Sequence, residues 1–96
     1  MCGMYYWYLD IEFDPRKASA NIRNHCVAFS EAETCLLDPL ALVREDLDAE
    51  GEARFVLVGL SNRGRLLTVV YTLRGEDSIR LISARPSTAK EARSYA

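Results

Sequence analysis

The chain has 96 residues, of which 49% are hydrophobic and 27% charged, with a formal charge of −2; a chain this short is a single domain over residues 1–96, burying only roughly 60–65% of its unfolded surface. That length excludes a second domain and a doubly wound nucleotide-binding sheet. The total charge argues against a polyanionic partner, but it sums two unlike halves: residues 1–53 carry four basic and eleven acidic side chains (net −7), residues 54–96 eight basic and three acidic (net +5).

From the N-terminus, Tyr5–Phe13 is rich in aromatic and β-branched residues, and Leu9, Ile11 and Phe13 alternate with Asp10, Glu12 and Asp14. That pattern predicts a half-buried strand. Asp14-Pro15 reads as an N-cap followed by proline at the first helical position. A helix from Pro15 to about Asn24 would turn Ala18, Ile22 and Cys26 inward and Arg16, Lys17, Asn21 and Arg23 outward. Ser30-Glu31-Ala32-Glu33 has the spacing of a capping box for a short second helix, with Ala32, Cys35 and Leu36 inward and Asp38-Pro39 as its stop.

The period then changes from helical to two-residue. Ala41–Leu47, Ala53–Ser61, Arg65–Leu73 and Ser78–Arg85 read as strands, separated by polar turns at 48–52, 62–64 and 74–77. Connections this short permit only antiparallel hairpins, hence a meander. Thr88-Ala89-Lys90-Glu91 is a second capping box, opening a C-terminal helix. The expected fold is α+β in two layers, β-α-α followed by an antiparallel meander of three to four strands and a final helix, with the helices grouped on one face.

Strict alternation divides the strands. Leu67, Val69, Tyr71 and Leu73 point one way, and Leu66, Thr68, Val70 and Thr72 the other. In the last strand it pairs Arg80 with Ile82 and Ala84, against Ile79, Leu81, Ser83 and Arg85. Arg54, Arg65, Arg74 and Arg85 fall at strand ends, positions suited to a rim of guanidinium groups that grip phosphate oxygens in bidentate fashion. Tyr71, Tyr95 and His25 would add stacking or proton transfer if they reach the same groove.

Three scattered cysteines (Cys2, Cys26, Cys35) and one histidine make neither a disulfide framework nor a structural zinc site, so no metal and no cofactor is expected. The apolar start lacks a basic region, meets acid by Asp10 and is too short to span a bilayer; a cytoplasmic protein without membrane contact is the expectation.

The run Phe13-Asp14-Pro15-Arg16-Lys17-Ala18, then Asn21, Asn24-His25-Cys26-Val27, Phe29 and Glu31-Ala32, resembles the opening of BrnT-type toxins. The likeness continues through Asp38-Pro39, Arg54, Gly59-Leu60-Ser61 and Gly64–Thr72. It extends to Arg80–Arg85, Thr88, Glu91 and Arg93-Ser94-Tyr95, covering roughly residues 9–95 in order. The resemblance implies the toxin half of a type II toxin–antitoxin pair: a fold similar to the RelE ribonucleases, and RNA cleavage that inhibits translation and growth. It also implies a BrnA-like antitoxin with a ribbon-helix-helix domain, through which alone DNA would be contacted. Two features depart from the family pattern. Asn24-His25-Cys26 stands where Lys-His-Gly is usual, and an aromatic extension precedes Leu9.

Metal-independent RNA cleavage needs an activated 2′-hydroxyl, neutralised phosphorane charge and a protonated 5′-oxygen. On this reading Arg65 and Arg85 stabilise the transferring phosphate, and His25, of a residue type that titrates near neutrality, moves a proton. Glu91 is the second candidate base. Arg54, Arg80, Arg74, Lys17 and Tyr71 bind RNA. The rival reading is a non-catalytic module whose basic half docks an antitoxin or other DNA-binding partner, acting only as an operon corepressor. A repressor acting alone is disfavoured, because the last helix offers only Lys90 and Arg93 to a groove.

Overall fold

The computed structural model describes residues 10–95. The expected first strand is seen there as β1 (Asp10–Glu12), ending one residue before Phe13, and residues 5–9 of that segment lie outside the described residues. Helix α1 (Pro15–His25) begins as its cap dictates: the Asp14 carboxylate accepts the Arg16 N–H at 2.9 Å, and Pro15 occupies the first turn, where no amide is needed. It ends on Cys26, whose φ of 58° is left-handed and whose N–H reaches the Ile22 carbonyl. That position favours glycine, and a cysteine there carries about 1 kcal/mol of backbone strain.

Helix α2 spans Phe29–Cys35. It starts earlier than the Ser30 capping box predicts: Ala28 is the N-cap, without a side-chain hydrogen bond, and Ser30 lies inside the helix. The earlier start carries Phe29 into the core beside Ala32 and Cys35. Burial of that ring outweighs one capping bond, worth about 1 kcal/mol.

Strands β2 (Leu42–Asp46), β3 (Arg54–Leu60), β4 (Leu66–Arg74) and β5 (Ser78–Pro86) form the expected meander. The sheet order is β1-β5-β4-β3-β2, with β1 parallel to β5. Gly64, at φ 75°, supplies the left-handed residue of the β3–β4 turn. Helix α1 packs on β5, and α2 lies over β3, β4 and β5. Between helices and sheet, Val27, Phe29, Ala32 and Cys35 meet Leu57, Leu67, Val69, Tyr71, Ile79, Leu81 and Ala84.

Strict alternation fails in β5. Tyr71 pairs with Leu81 but Val70 with Ser83, so Ile82 is an extra, bulged residue. Ala84 thereby joins Ile79 and Leu81 in the core, while Ser83 and Arg85 turn to the outer face with Arg80. This reverses the predicted face for Ala84, Ser83 and Arg85. Past the short β1, no strand among the described residues flanks β5, and Asn21 takes that place. Its Oδ1 accepts the Ala84 N–H (3.0 Å), and its Nδ2 donates to the carbonyls of Ala84 (2.7 Å) and Val27 (2.8 Å). Asn21, expected outside, is therefore buried, and Ile22, expected inside, is half exposed.

Helix α3 (Ala89–Ser94) opens on the predicted Thr88–Glu91 capping box. It does not join α1 and α2. None of its residues is buried, and with β2 and β3 it borders a cavity of about 450 Å³ on the outer face, lined by Leu42, Val56, Val58, Thr88, Lys90 and Glu91 among others. Its far end is tied down by Tyr95, whose hydroxyl donates to Asp38; Asp38 also accepts the Leu60 and Leu40 amides at 2.8 and 2.9 Å. Burial raises the Asp38 pKa, but these three donors outweigh it and hold the carboxyl below its usual range.

Asn21→Ala leaves two buried carbonyls and one amide without partners. It should lower stability by about 3 kcal/mol in urea denaturation, with an unchanged slope. Cys26→Gly should raise stability by about 0.5–1 kcal/mol in the same assay, because glycine relieves the left-handed strain.

Candidate active site and anion-binding face

The outer face of the sheet gathers most of the predicted arginines. Cross-strand pairing aligns Arg54 with Thr72, Thr72 with Arg80, and Thr68 with Arg85, so Arg54, Arg80 and Arg85 share that face. At one end, Lys17, Arg54, Arg74 and Arg80 line a cavity of about 320 Å³ together with Thr72, Ile82, Asp14, Glu50 and Glu52. Acids from the N-terminal half thus enter the basic rim. Arg74 lies 3.7 Å from Glu12 and 3.2 Å from Glu52, and Arg80 lies 3.8 Å from Glu12.

At the other end of the face sits the tightest outer charge pair. Arg85 Nη1 and Nη2 donate to Glu91 Oε1 and Oε2 at 2.7 and 2.8 Å. Glu91 Oε1 also accepts from Thr68 Oγ1 (3.0 Å) and the Thr88 amide (2.8 Å), and Thr68 Oγ1 lies 2.8 Å from Ser87 Oγ. The Arg85 guanidinium is the main reason that the Glu91 carboxyl is held down to about 2, against 4.5 for an ordinary glutamate. In this state Glu91 is an anion occupying a guanidinium fork that would otherwise suit phosphate.

Arg65 is elsewhere. Its guanidinium turns to the helix side, where it forms a bidentate pair with Glu31 of α2, Nε to Oε2 being 2.9 Å. Ser61 Oγ donates to the same carboxylate at 2.7 Å, and Arg65 Nη2 reaches the Cys26 carbonyl at 3.3 Å. Glu31 is 5% exposed. Its hydrogen bond to Arg65 lowers its pKa against the opposing effect of burial. His25, the last residue of α1, is exposed and adjoins the carbonyl that Arg65 holds. The predicted catalytic residues are therefore split: Arg85 pairs with Glu91 on the outer face, Arg65 bonds the carbonyl next to His25 on the helix side, and no hydrogen-bond network among the described residues joins the two places.

Tyr71 does not reach either pair. It stacks on Phe55 at 5.6 Å between ring centroids and is 9% exposed on the helix-covered side, where burial raises its pKa. A strand residue at that parity packs in the core, which corrects its expected place in an RNA-binding groove. Sequence reasoning also missed Glu31 as the partner of Arg65. The available signal was its position four residues before Cys35, which puts it on the inward face of α2.

The family model for the ribonuclease toxin BrnT of type II toxin–antitoxin systems matches residues 13–91. The chain belongs to the BrnT family. The crystal structure of the Brucella abortus ribonuclease toxin BrnT is similar in fold, with a TM-score of 0.66 at 23% identity, over 83% of this chain and 97% of that one. No curated protein sequence matches the chain. Membership in a type II toxin family implies an antitoxin partner. Among the described residues no helix is long and apolar enough to cross a membrane.

The low pKa of Glu91 has a consequence for this BrnT-family chain in acid. Its folded pKa lies below its unfolded value, so its contribution to stability is present above about pH 4.5 and is lost as pH falls toward 2. Glu31 and Asp38 shift in the same direction. Urea midpoints should fall steadily below about pH 4.5, and Glu91→Gln should flatten the most acidic part of the fall. Parallel curves for the two proteins would remove Glu91 from that role.

Proposed function

We propose that the chain is an endoribonuclease toxin that cleaves RNA without a metal, inhibits translation and growth, and is neutralised by a BrnA-like antitoxin carrying a ribbon-helix-helix domain. The observation that carries this reading is the family match over residues 13–91, together with a sheet face that sets Arg85 beside a carboxylate and in line with Arg80 and Arg54. In the proposed reaction the RNA 2′-oxygen attacks the adjacent phosphorus and the 5′-oxygen departs, leaving a 2′,3′-cyclic phosphate and a 5′-hydroxyl. One group removes the 2′-proton and another protonates the leaving oxygen.

Arg85 is assigned to the charge that builds on the phosphorane. An incoming phosphate competes with Glu91 for that guanidinium, and Glu91, once displaced, recovers its basicity and is the candidate base. Arg65, oriented by Glu31 on the helix side, and His25 make the alternative catalytic pair, a guanidinium and a proton carrier separate from Arg85 and Glu91. Arg54, Arg80, Arg74 and Lys17 hold flanking phosphates. The rival reading, a non-catalytic corepressor that docks an antitoxin, draws on one observation: Glu91 already occupies the Arg85 fork.

Purified protein should cleave RNA in the presence of EDTA, and Arg85→Ala should reduce cleavage about 100-fold or more, with a smaller loss in Arg65→Ala; the reverse order would move the chemistry to the Arg65–His25 side. Glu91→Gln should reduce it about 10- to 100-fold, and a comparable loss in His25→Ala instead would assign the proton transfer to the Arg65–His25 side. Expression in a bacterium should arrest growth, and co-expression of the cognate antitoxin should relieve the arrest. Wild-type cleavage by both arginine variants would refute their assignment. Antitoxin binding with neither arrest nor cleavage would favour the corepressor.

A further inference from the structure

The cavity of about 450 Å³ beside α3 differs in character from the charged one at the Arg54 end, and the proposed chemistry assigns its apolar floor no role. Cross-strand pairing aligns Leu42 with Val58, Val58 with Thr68, and Thr68 with Arg85. These side chains make one row across β2, β3, β4 and β5 on the outer face. Leu42 and Val58, with Val56 two residues back along β3, floor the cavity. Glu91 stands in its wall and also fills the Arg85 fork. At about 4.8 Å between neighbouring strands, the Val58 and Arg85 backbones lie about 10 Å apart. One nucleotide therefore reaches both places, its phosphate on the Arg85 fork and its base on the Leu42–Val58 floor.

Size and rim chemistry both fit a nucleobase. Sites for small molecules enclose about 300–1,000 Å³ and are apolar with a few placed polar groups, whereas a protein partner of standard size covers about 800 Å² of each surface. Arg44 from β2 and Lys90 from α3 line the cavity, both exposed, and among the described residues neither makes an ion pair. Thr88 Oγ1 accepts the Glu91 amide at 3.2 Å, which leaves its own hydrogen to donate. Lysine and arginine side chains offer donors and no acceptor. Such a rim complements guanine and uracil, whose edges present a carbonyl oxygen where adenine and cytosine present an amino donor.

From this arrangement we infer that the Leu42–Val56–Val58 floor and the Lys90 and Thr88 donors form a pocket for one keto base, guanine or uracil, of the nucleotide whose phosphate lies on Arg85. The pocket makes the protein selective for unpaired RNA with such a base beside the cleaved bond, because a paired base has its edge engaged and its face stacked. This rests on the ribonuclease reading for its substrate class, and its test is read without turnover.

The full-length protein, isotope-labelled at its valine and leucine methyl groups, is titrated by NMR with 2′-O-methyl tetranucleotides, which it cannot cleave. One is all uridine, one all cytidine, and one an abasic chain of the same charge. The uridine oligomer should shift the Leu42, Val56 and Val58 methyl signals saturably and bind about tenfold more tightly than the cytidine oligomer. The abasic chain should leave those signals unmoved. Lys90→Met, which keeps the apolar stem at an exposed position and removes the donor, should bring the uridine and cytidine affinities together. Methyl signals that ignore every oligomer, equal affinity for uridine and cytidine, or equal shifts with the abasic chain would each overturn the pocket. Shifts caused by the cognate antitoxin and by no oligomer would overturn it in favour of a protein partner. RNA cleavage with silent methyl signals refutes the pocket and leaves the ribonuclease reading standing. Saturable uridine binding with no cleavage does the reverse.

Discussion

The outer face depends on one extra residue in β5. Without the bulge at Ile82, two-residue alternation would bury Arg85 with Leu81 and turn Ala84 outward. With it, Arg80 and Arg85 share a face, and small Ala84 fills the tight space under α1. A bulge leaves local backbone groups without ladder partners, and beyond β1 no strand among the described residues covers this edge of β5. Asn21 meets that cost. Its one amide group accepts from and donates to Ala84, as a neighbouring strand would, and also holds the Val27 carbonyl at the α1–α2 junction. A helix residue thus stabilises, through Ala84 63 residues along the chain, the strand irregularity that aims Arg85.

Charge is organised by the same folding. Along the sequence the acids and bases separate into halves, but β1 and the β2–β3 turn return Glu12, Glu50 and Glu52 to the basic end of the sheet. The acids there sit in exposed pairs with long separations, which attract weakly and exchange readily. Glu31 and Glu91 behave differently. Each makes a bidentate pair with one arginine and accepts further bonds, so each orients a guanidinium firmly. Arg65 is thereby committed to the helix side and Arg85 to the outer face.

Helix α3 shows how little apolar packing such an element needs. It buries no side chain and is held by polar contacts at both ends, Glu91 to Arg85 and Thr68 at the start and Tyr95 to Asp38 at the finish. Glu91 serves the cap and the charge pair at once. Helix order at the C-terminus is thus coupled to the ionisation of one carboxylate, and through it to the position of Arg85.

Local chemistry was legible in the sequence. The Asp14-Pro15 start of α1, the Thr88–Glu91 capping box, the four meander strands and the inward Leu67, Val69 and Leu81 follow from caps, turns and periodicity, which act over a few residues. The family was legible as well, because its residues recur in order along most of the chain. The sequence did not disclose the bulge at Ile82, the burial of Asn21, the pairing of Glu31 with Arg65 or the place of α3 on the outer face. Each of these joins residues 6 to 63 positions apart, and each is decided by which backbone groups and charges remain unsatisfied once the sheet has closed. Composition and periodicity determined that this chain has a basic half rich in arginine. The tertiary structure alone decided which of those arginines face the same way, because a single inserted residue reverses the parity of a strand.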